Sequence, residues 1–238
     1  MDSQPEADII TLYTSHKCPF AHRAHIVLAE LGLRHKEEII DLDTPRSPEY
    51  LRVNPRGLVP SLSYNGEIIT ESAIVAQFLA DTYPSSLLPA SSDPKGPLAR
   101  ARVNFFADAW SSKILGPWFK SVYGSTSASL ADEAVDELAA SIVKEIEPLL
   151  ADAAPFFNGS EKLTLAEAIV GPFVVRLFSW AKHGLVPASL VERLEKDAPS
   201  FSKWAQAVIK HPSVLSIYDE DKMVNDTKER IAKLRARA

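Results

Sequence analysis

Residues 9–42, which decide the fold of the first part of the chain, read IITLYTSHKCPFAHRAHIVLAELGLRHKEEIIDL. A β-prone run at 9–13 opens this stretch, and a second run centres on Ile39 and Ile40. Between them, apolar residues recur every three or four positions, as on one face of a helix: Phe20, Ala24, Val27, Leu28 and Leu31. A strand, a helix and a second strand in this span predict a right-handed crossover that joins two parallel strands.

The residues that follow predict a different kind of pairing. Two β-prone runs, 59–64 and 67–70, flank Asn65-Gly66, a strong hairpin signal, so these strands should be antiparallel. Ser47-Pro48-Glu49 has the residues of a helix start, and Glu71-Ser72 opens another helix. The order β-α-β, short helix, β-β-α predicts a mixed four-stranded sheet with helices on both faces.

The second half of the chain has a helical pattern. Residues 84–97 are rich in proline and serine, which predicts a linker between two domains. From residue 98 onward the apolar spacing is helical, with an interruption predicted at Gly116-Pro117. Thr164 and Glu167 have the spacing of a capping box at a helix start. We therefore expect an α/β domain at 1–83, a linker at 84–97 and an all-α domain at 98–238.

Composition limits the classes of partner. The chain has 238 residues and a formal net charge of -5, which argues against a general nucleic-acid binder. It contains no apolar run of the roughly 18 residues needed to span a bilayer. Residues 1–8 lack the pattern of a secretory signal, and a single cysteine excludes an intramolecular disulfide. These features predict a cytoplasmic protein with neither a nucleic-acid nor a membrane partner.

Cys18 is the main candidate for chemistry. It lies between a strand and a helix, and Pro19 suits the first turn of that helix. A cysteine at this end of a helix faces the positive end of the helix dipole, which favours the thiolate. Because the chain has no second cysteine, an external thiol must resolve any mixed disulfide formed at Cys18. Glutathione, the abundant cytosolic thiol, is the predicted co-substrate.

A metal site is not predicted. The candidate ligands that cluster in sequence are His16, Cys18, His22 and His25. Structural zinc requires four ligands, and no second cluster completes such a set.

Three segments together carry a family resemblance. They are 18–23 (CPFAHR), 54–60 (NPRGLVP) and 71–74 (ESAI). In this order and spacing the chain resembles the cytosolic glutathione transferases, most closely the omega-like class, over nearly its whole length. The resemblance implies a thioredoxin-like first domain and an all-helical second domain. It also implies a homodimer in which the first domain of one chain packs against the second domain of the other.

The resemblance implies a role for several residues. Cys18 would be the catalytic residue and would form a mixed disulfide with glutathione. Val59 would pair its main chain with the cysteinyl part of glutathione, and the Pro60 bond would be cis. Glu71 and Ser72 would hold the γ-glutamyl end. Two further residues complete the expected glutathione site, namely Phe20 and, in place of a lysine that omega-like proteins often carry, Arg46.

A cysteine at this position favours thiol transfer or reduction. Conjugating transferases use a hydroxyl to stabilise the glutathione thiolate, whereas a thiol is a poor donor and a good nucleophile. We therefore predict a glutathione-dependent thiol transferase or reductase. Two alternatives stay open: conjugation of glutathione to electrophiles, served by Tyr13, Thr14 or Ser15, and a non-enzymatic glutathione-binding protein.

The second substrate is expected beside the thiol, between the domains. The aromatic residues predicted to line that pocket are Phe106, Trp110, Trp118, Phe119, Tyr123 and Phe173.

Overall fold

The fold is that of a computed structural model, which describes residues 8–124 and 128–236. The ends of the two expected domains, residues 1–7 and 237–238, lie outside the described residues.

The first part of the chain is an α/β unit built on one sheet. Its elements are β1 (Ile10–Thr14), α1 (Pro19–Glu30), β2 (Lys36–Ile39), α2 (Pro48–Val53), β3 (Ser61–Tyr64), β4 (Glu67–Thr70) and α3 (Ser72–Thr82). The strand order is β2-β1-β3-β4, with β1 and β2 parallel and the other two pairs antiparallel. Leu12 and Leu62, both fully buried, oppose each other on the two central strands. The predicted crossover, hairpin and mixed four-stranded sheet are confirmed.

The rest of the described chain is helical, as predicted. Its α-helices are α4 (Gly96–Ala109), α5 (Leu115–Tyr123), α6 (Ala128–Ser141), α7 (Leu165–Lys182), α8 (Ser189–Asp197), α9 (Pro199–Val208), α10 (Pro212–Leu215) and α11 (Glu220–Arg235). The long segment 84–95 between α3 and α4 contains neither helix nor strand.

The interruption predicted at Gly116-Pro117 lies elsewhere. Pro117 is inside α5, and the break is a wide π turn one turn earlier, at Trp110–Ile114. A second π turn, Ile142–Ile146, likewise precedes Pro148. Proline has no amide hydrogen and its ring clashes with the carbonyl four residues earlier, so the helix adjusts in the preceding turn. The position of the proline therefore predicted a break but misplaced it.

Helix α7 is the centre of the second domain, and its start is fixed by the predicted capping box. Thr164 Oγ1 accepts from the Ala166 amide at 3.2 Å, and the Thr164 amide donates to Glu167 Oε2 at 2.9 Å. Glu167 is fully buried and also accepts from the Phe157 amide at 2.7 Å and from Trp204 Nε1 at 2.6 Å. Burial raises the pKa of the Glu167 carboxyl, and these hydrogen bonds act in the opposite direction. Helix α7 packs against α1, and this contact joins the two parts of the chain.

Candidate functional site

Cys18 occupies the position that the sequence predicts. It is the N-cap residue of α1, with φ -86° and ψ 120°, and it is partly buried. Its amide donates to the Ser15 carbonyl at 3.0 Å, which fixes the loop before the helix. The thiol makes no side-chain cap and points toward the carbonyl oxygen of Val59, with Sγ and O 3.9 Å apart. A nucleophilic sulfur is thus held at a helix N-terminus beside an irregular main-chain segment.

That segment, residues 54–60, is shaped by buried polar groups. Tyr50 Oη and Asn54 Nδ2 both donate to the Leu58 carbonyl, at 2.5 and 2.9 Å. The Val59–Pro60 bond is cis, as the resemblance implied. Within the described part of the chain the Val59 amide has no hydrogen-bond partner. The main chain of Val59 is therefore presented next to Cys18 with its donor free.

Arg46 holds the same segment from the outside. Its Nε donates to the Gly57 carbonyl at 2.9 Å, and its Nη1 donates to the carbonyls of Asp41 and Thr44 at 2.7 and 2.6 Å. Gly57 has φ +64°, and a Cβ there would lie 3.0 Å from Arg46 Cγ. The guanidinium that was predicted to contact glutathione therefore has a structural role in positioning this loop.

Glu71 and Ser72 lie at the start of α3. Glu71 is the N-cap residue and has φ +68°, a left-handed conformation that costs a non-glycine residue about 1–3 kcal/mol. Its half-exposed carboxylate pairs with Arg56 Nη1 at 2.5 Å. Ser72, the first residue of the helix, is buried, and its hydroxyl accepts from Arg23 Nη1 at 3.0 Å. An anion-receptive helix start therefore lies within reach of a buried guanidinium.

Two buried arginines lie behind Cys18. Arg23 also donates through Nε to the Ile169 carbonyl of α7 at 2.9 Å, and its guanidinium lies 5.1 Å from the Phe20 ring centroid. Arg176, on α7, donates to the Pro172 carbonyl at 2.8 Å and is fully enclosed. In the described residues neither guanidinium pairs with a carboxylate.

These two charges bear on the thiol. Burial lowers the pKa of the Arg23 guanidinium to about 10, and the nearby Cys18 acts in the opposite direction. Burial also lowers the pKa of Arg176, against the effects of Tyr218 and Cys18. Both residues stay cationic at neutral pH, so they add positive potential at the sulfur. The sequence indicated Arg23 only through its nearness to Cys18. It gave no signal for Arg176, which is 158 positions away and reaches the site only through the packing of α7 on α1.

His22 links Arg176 to α1. Arg176 Nη1 donates to His22 Nδ1 at 3.1 Å, and a guanidinium can only donate, so His22 carries its proton on Nε2. Burial, followed by the charge of Arg176, holds the pKa of His22 well below 6.5. The residue is therefore a neutral core histidine.

Four of the six aromatic residues that were predicted to line the substrate pocket are buried in the core of this structure. Phe106, Trp110, Trp118 and Phe173 are at most 1% exposed and pack against one another and against neighbouring helices.

Phe119 and Tyr123 keep part of their surface open. The Phe119 ring lies 6.5 Å from Phe20 in a stacked arrangement and 6.2 Å from Tyr123. Arg230 of α11 covers the Tyr123 ring at 4.9 Å. Phe20, which lies two residues after Cys18 on α1, therefore forms a row of half-buried rings with Phe119 and Tyr123 on α5.

The hydroxyls considered for conjugation are less available than Cys18. Thr14 is buried, with its Oγ1 2.8 Å from His25 Nε2. Ser15 is also buried, and Tyr13 packs against Tyr50 at a ring distance of 5.7 Å.

Comparison with known proteins agrees with this geometry. Residues 17–82 match the family model described as glutathione S-transferase, N-terminal domain. The probable glutathione S-transferase GSTU1 of Oryza sativa subsp. japonica is 30% identical over 217 residues, which cover 84% of this chain and 88% of the rice protein. This chain belongs to the glutathione S-transferase family. Glutathione S-transferase omega-1 of Sus scrofa is 27% identical over 214 residues, or 89% of this chain and 81% of that protein.

Solved glutathione transferases have the same fold. Rice GST1, crystallised in complex with glutathione, superposes with a TM-score of 0.80 at 26% identity and covers 96% of this chain and 98% of its own. Glutathione transferase Omega 1C of Trametes versicolor gives 0.77 at 27% identity, covering 95% and 98%. The resemblance to glutathione transferases, with omega-class members among the relatives, is confirmed. None of the helices in the described ranges has the length and apolar character needed to cross a bilayer.

Proposed function

We propose that this glutathione transferase is a cysteine-type, omega-like thiol transferase or reductase that works through a mixed disulfide at Cys18. The observation that carries the proposal is the partly exposed Cys18 thiol at the N-terminus of α1, 3.9 Å from the Val59 carbonyl oxygen. The positive end of α1 and the buried cations Arg23 and Arg176 lie on the side of the thiol, and the thiolate is the reactive form of a cysteine.

The chemistry balances with one glutathionylated substrate, one free glutathione and the Cys18 thiolate. The Cys18 thiolate attacks the glutathionyl sulfur of a mixed disulfide, forms a Cys18–glutathione disulfide and releases the substrate as a thiolate, which takes up a proton. A second glutathione, deprotonated, attacks the glutathionyl sulfur of that adduct. This step releases oxidised glutathione and regenerates the Cys18 thiolate. Overall, the glutathionylated substrate and one free glutathione become the substrate thiol and oxidised glutathione, so one disulfide is exchanged for another and no further oxidant or reductant is needed.

Glutathione would bind along the elements that surround the thiol. The free amide and the carbonyl of Val59 would pair with the cysteinyl unit, next to the cis Pro60. The buried Ser72 hydroxyl at the start of α3 would donate to the γ-glutamyl carboxylate, and Glu71 would face the ammonium of the same unit. Phe20 would close the site, with Phe119 and Tyr123 as the remaining candidates for the second-substrate pocket. Arg46 would act through the loop it holds.

We also propose the organisation implied by the family. The glutathione-binding domain would span 1–83 and the helical domain 98–238, joined by 84–97, in a cytoplasmic homodimer. Large apolar side chains on α3 and α4 are exposed, including Ile74 at 58% and Phe105 at 60%, and a partner chain would cover such residues. A monomeric mass at micromolar concentration would contradict this arrangement.

The test is intact-protein mass after incubation with oxidised glutathione, followed by a hydroxyethyl disulfide assay. We expect one glutathione adduct, mapped to Cys18, and turnover that is lost in Cys18→Ala. The variant should unfold at the same urea concentration as the wild type, which separates loss of chemistry from loss of fold.

Each other outcome has a distinct meaning. An adduct without turnover on disulfides, ketones or electrophiles would favour a binding protein. Conjugation activity that survives in Cys18→Ala would replace the thiol mechanism with a hydroxyl one, to be examined at Ser15 and Tyr13. Disulfide reductase activity that survives in Cys18→Ala would refute the assignment of the nucleophile.

A further inference from the structure

Three histidines surround one glutamate at the β2 edge of the sheet. His16 Nε2 lies 2.8 Å from Glu37 Oε2, while His25 Nδ1 and His35 Nε2 lie 3.7 and 3.5 Å from Glu37 Oε1. The candidate ligand atoms of His16, His25 and Glu37 are all within 4.8 Å of one another. The sequence grouped His16 and His25 with Cys18 and His22. The fold instead brings in His35 and Glu37, because β2 pairs with β1 beside α1.

The nitrogen atoms that face Glu37 Oε1 are arranged as ligands. His35 Nδ1 donates to the Leu33 carbonyl at 3.1 Å, so a neutral His35 presents a lone pair on Nε2. His25 Nε2 bonds the Thr14 hydroxyl at 2.8 Å, and with Thr14 accepting, its Nδ1 also presents a lone pair. Lone pairs and a carboxylate oxygen then face one another across 3.5 and 3.7 Å, which is longer than an ordinary hydrogen bond. In these tautomers a metal cation between the groups would bind all of them, whereas in its absence an imidazole attracts the carboxylate only when its facing nitrogen carries a proton.

The spacing suits a metal ion. Ligands bound tetrahedrally at about 2.0–2.1 Å are roughly 3.4 Å apart. Metal-binding histidines usually donate their second ring nitrogen to a carbonyl, hydroxyl or carboxylate, as His35 does to Leu33 and His25 does with Thr14. Imidazole nitrogens with one carboxylate are typical ligands of zinc and neighbouring divalent metals.

We propose that the first domain carries a binding site for a zinc-type divalent transition metal, whose ligands are His16, His25, His35 and Glu37. His16 lies two residues before Cys18, so the bound ion fixes the loop that carries the thiol to α1 and β2. The site is independent of the proposed thiol-transfer chemistry, since the ion binds protein groups on the side of α1 that faces β2.

The test is Co²⁺ and Zn²⁺ titration of the untagged full-length protein after treatment with a chelator. We expect one Co²⁺ per chain with the visible absorption of a four- or five-coordinate ion, displaced by Zn²⁺, and a Zn²⁺-dependent rise in the midpoint of thermal unfolding. Glu37→Gln and His35→Gln change partly exposed residues and should lower the affinity by roughly 10- to 100-fold. Far-UV circular dichroism confirms that both variants are folded.

Two control variants make the result specific. His183→Gln removes a histidine that pairs with Glu220 at 2.7 Å in the second domain, and it should bind Co²⁺ like the wild type. Cys18→Ser should also retain binding, because the thiol is not a ligand in the proposed site. The proposal is overturned if the wild type binds no Co²⁺ or Zn²⁺ at tens of micromolar. It is equally overturned if Glu37→Gln and His35→Gln bind as tightly as His183→Gln, or if Cys18→Ser abolishes binding.

Discussion

Replacing Glu167 with glutamine should destabilise the whole second domain. In the wild type, four donors converge on this buried carboxylate. The Phe157 amide and Trp204 Nε1 donate to Oε1, while the amide and hydroxyl of Thr164 donate to Oε2. Glutamine keeps the shape of the side chain but has a single acceptor oxygen. Its NH₂ group must then face one of the two pairs of donors.

The cost follows from the groups left unpaired. A buried donor without a partner costs about 1–3 kcal/mol, so two donors cost about 2–6 kcal/mol. The Thr164 hydroxyl can rotate away, which favours the lower half of this range, and we expect a loss of about 3 kcal/mol in the free energy of unfolding. For a chain of this size, that corresponds to a fall of roughly 6–12 °C in the unfolding midpoint.

The assay is urea unfolding followed by circular dichroism and by tryptophan fluorescence, since Trp204 reports on the site directly. The matched control is Glu161→Gln, an exposed glutamate in the loop before α7, which should stay within about 0.5 kcal/mol of the wild type. If Glu167→Gln also stays within 0.5 kcal/mol, the four hydrogen bonds do not set the stability of α7 and the reasoning is refuted.

Four further substitutions, one of them a control, test the first domain. Gly57→Ala and Gly32→Ala both place alanine at a left-handed position and should each lose about 1–2 kcal/mol of stability. Only Gly57→Ala should raise the KM for glutathione, because its Cβ would lie 3.0 Å from Arg46 Cγ, whereas a Cβ at residue 32 has no neighbour within 4 Å. Equal KM values in the two variants would contradict this prediction. Ser72→Ala should raise the glutathione Kd by roughly tenfold, the loss of about one hydrogen bond to a charged group, and an unchanged Kd by calorimetry would exclude the contact. Burial holds the pKa of His22 well below 6.5 in the folded chain. As the pH falls, this histidine therefore takes up a proton in the unfolded chain but not in the folded chain, and the free energy of unfolding decreases. His22→Gln should therefore lose less stability than the wild type between about pH 7.5 and 5.5, and parallel pH profiles would show that this histidine titrates alike in both states.

The sheet and the thiol could be predicted because their signals are local. Asn65-Gly66 determines a hairpin within a few residues, and Cys18-Pro19 marks a helix start whatever the rest of the chain does. The capping box of Thr164 and Glu167 is equally local, and the structure forms it.

Features that depend on which way a helix faces could not be predicted in the same way. Phe106 and Trp118 were predicted to line the substrate pocket, and only the packing of α4, α5 and α7 shows that both are buried in the core. Arg46 was placed near glutathione by its position in sequence, yet three carbonyls of the surrounding loops use its donors. The histidine cluster escaped notice because Glu37 comes from β2, and no sequence spacing reports strand pairing.

Arg23 and Arg176 have a consequence for how the protein responds to ligands. The guanidinium group of each residue is buried and positively charged, and in the described chain neither group pairs with a carboxylate. An anion that binds between α1 and α3 would supply the negative charge that Arg23 lacks, so its binding energy would also be folding energy. Anionic ligands should therefore protect this protein from heat and proteases in proportion to their affinity, and neutral analogues of the same shape should protect it less. A thermal-shift screen of charged and neutral compounds would thus rank ligands for the site before any turnover assay is available.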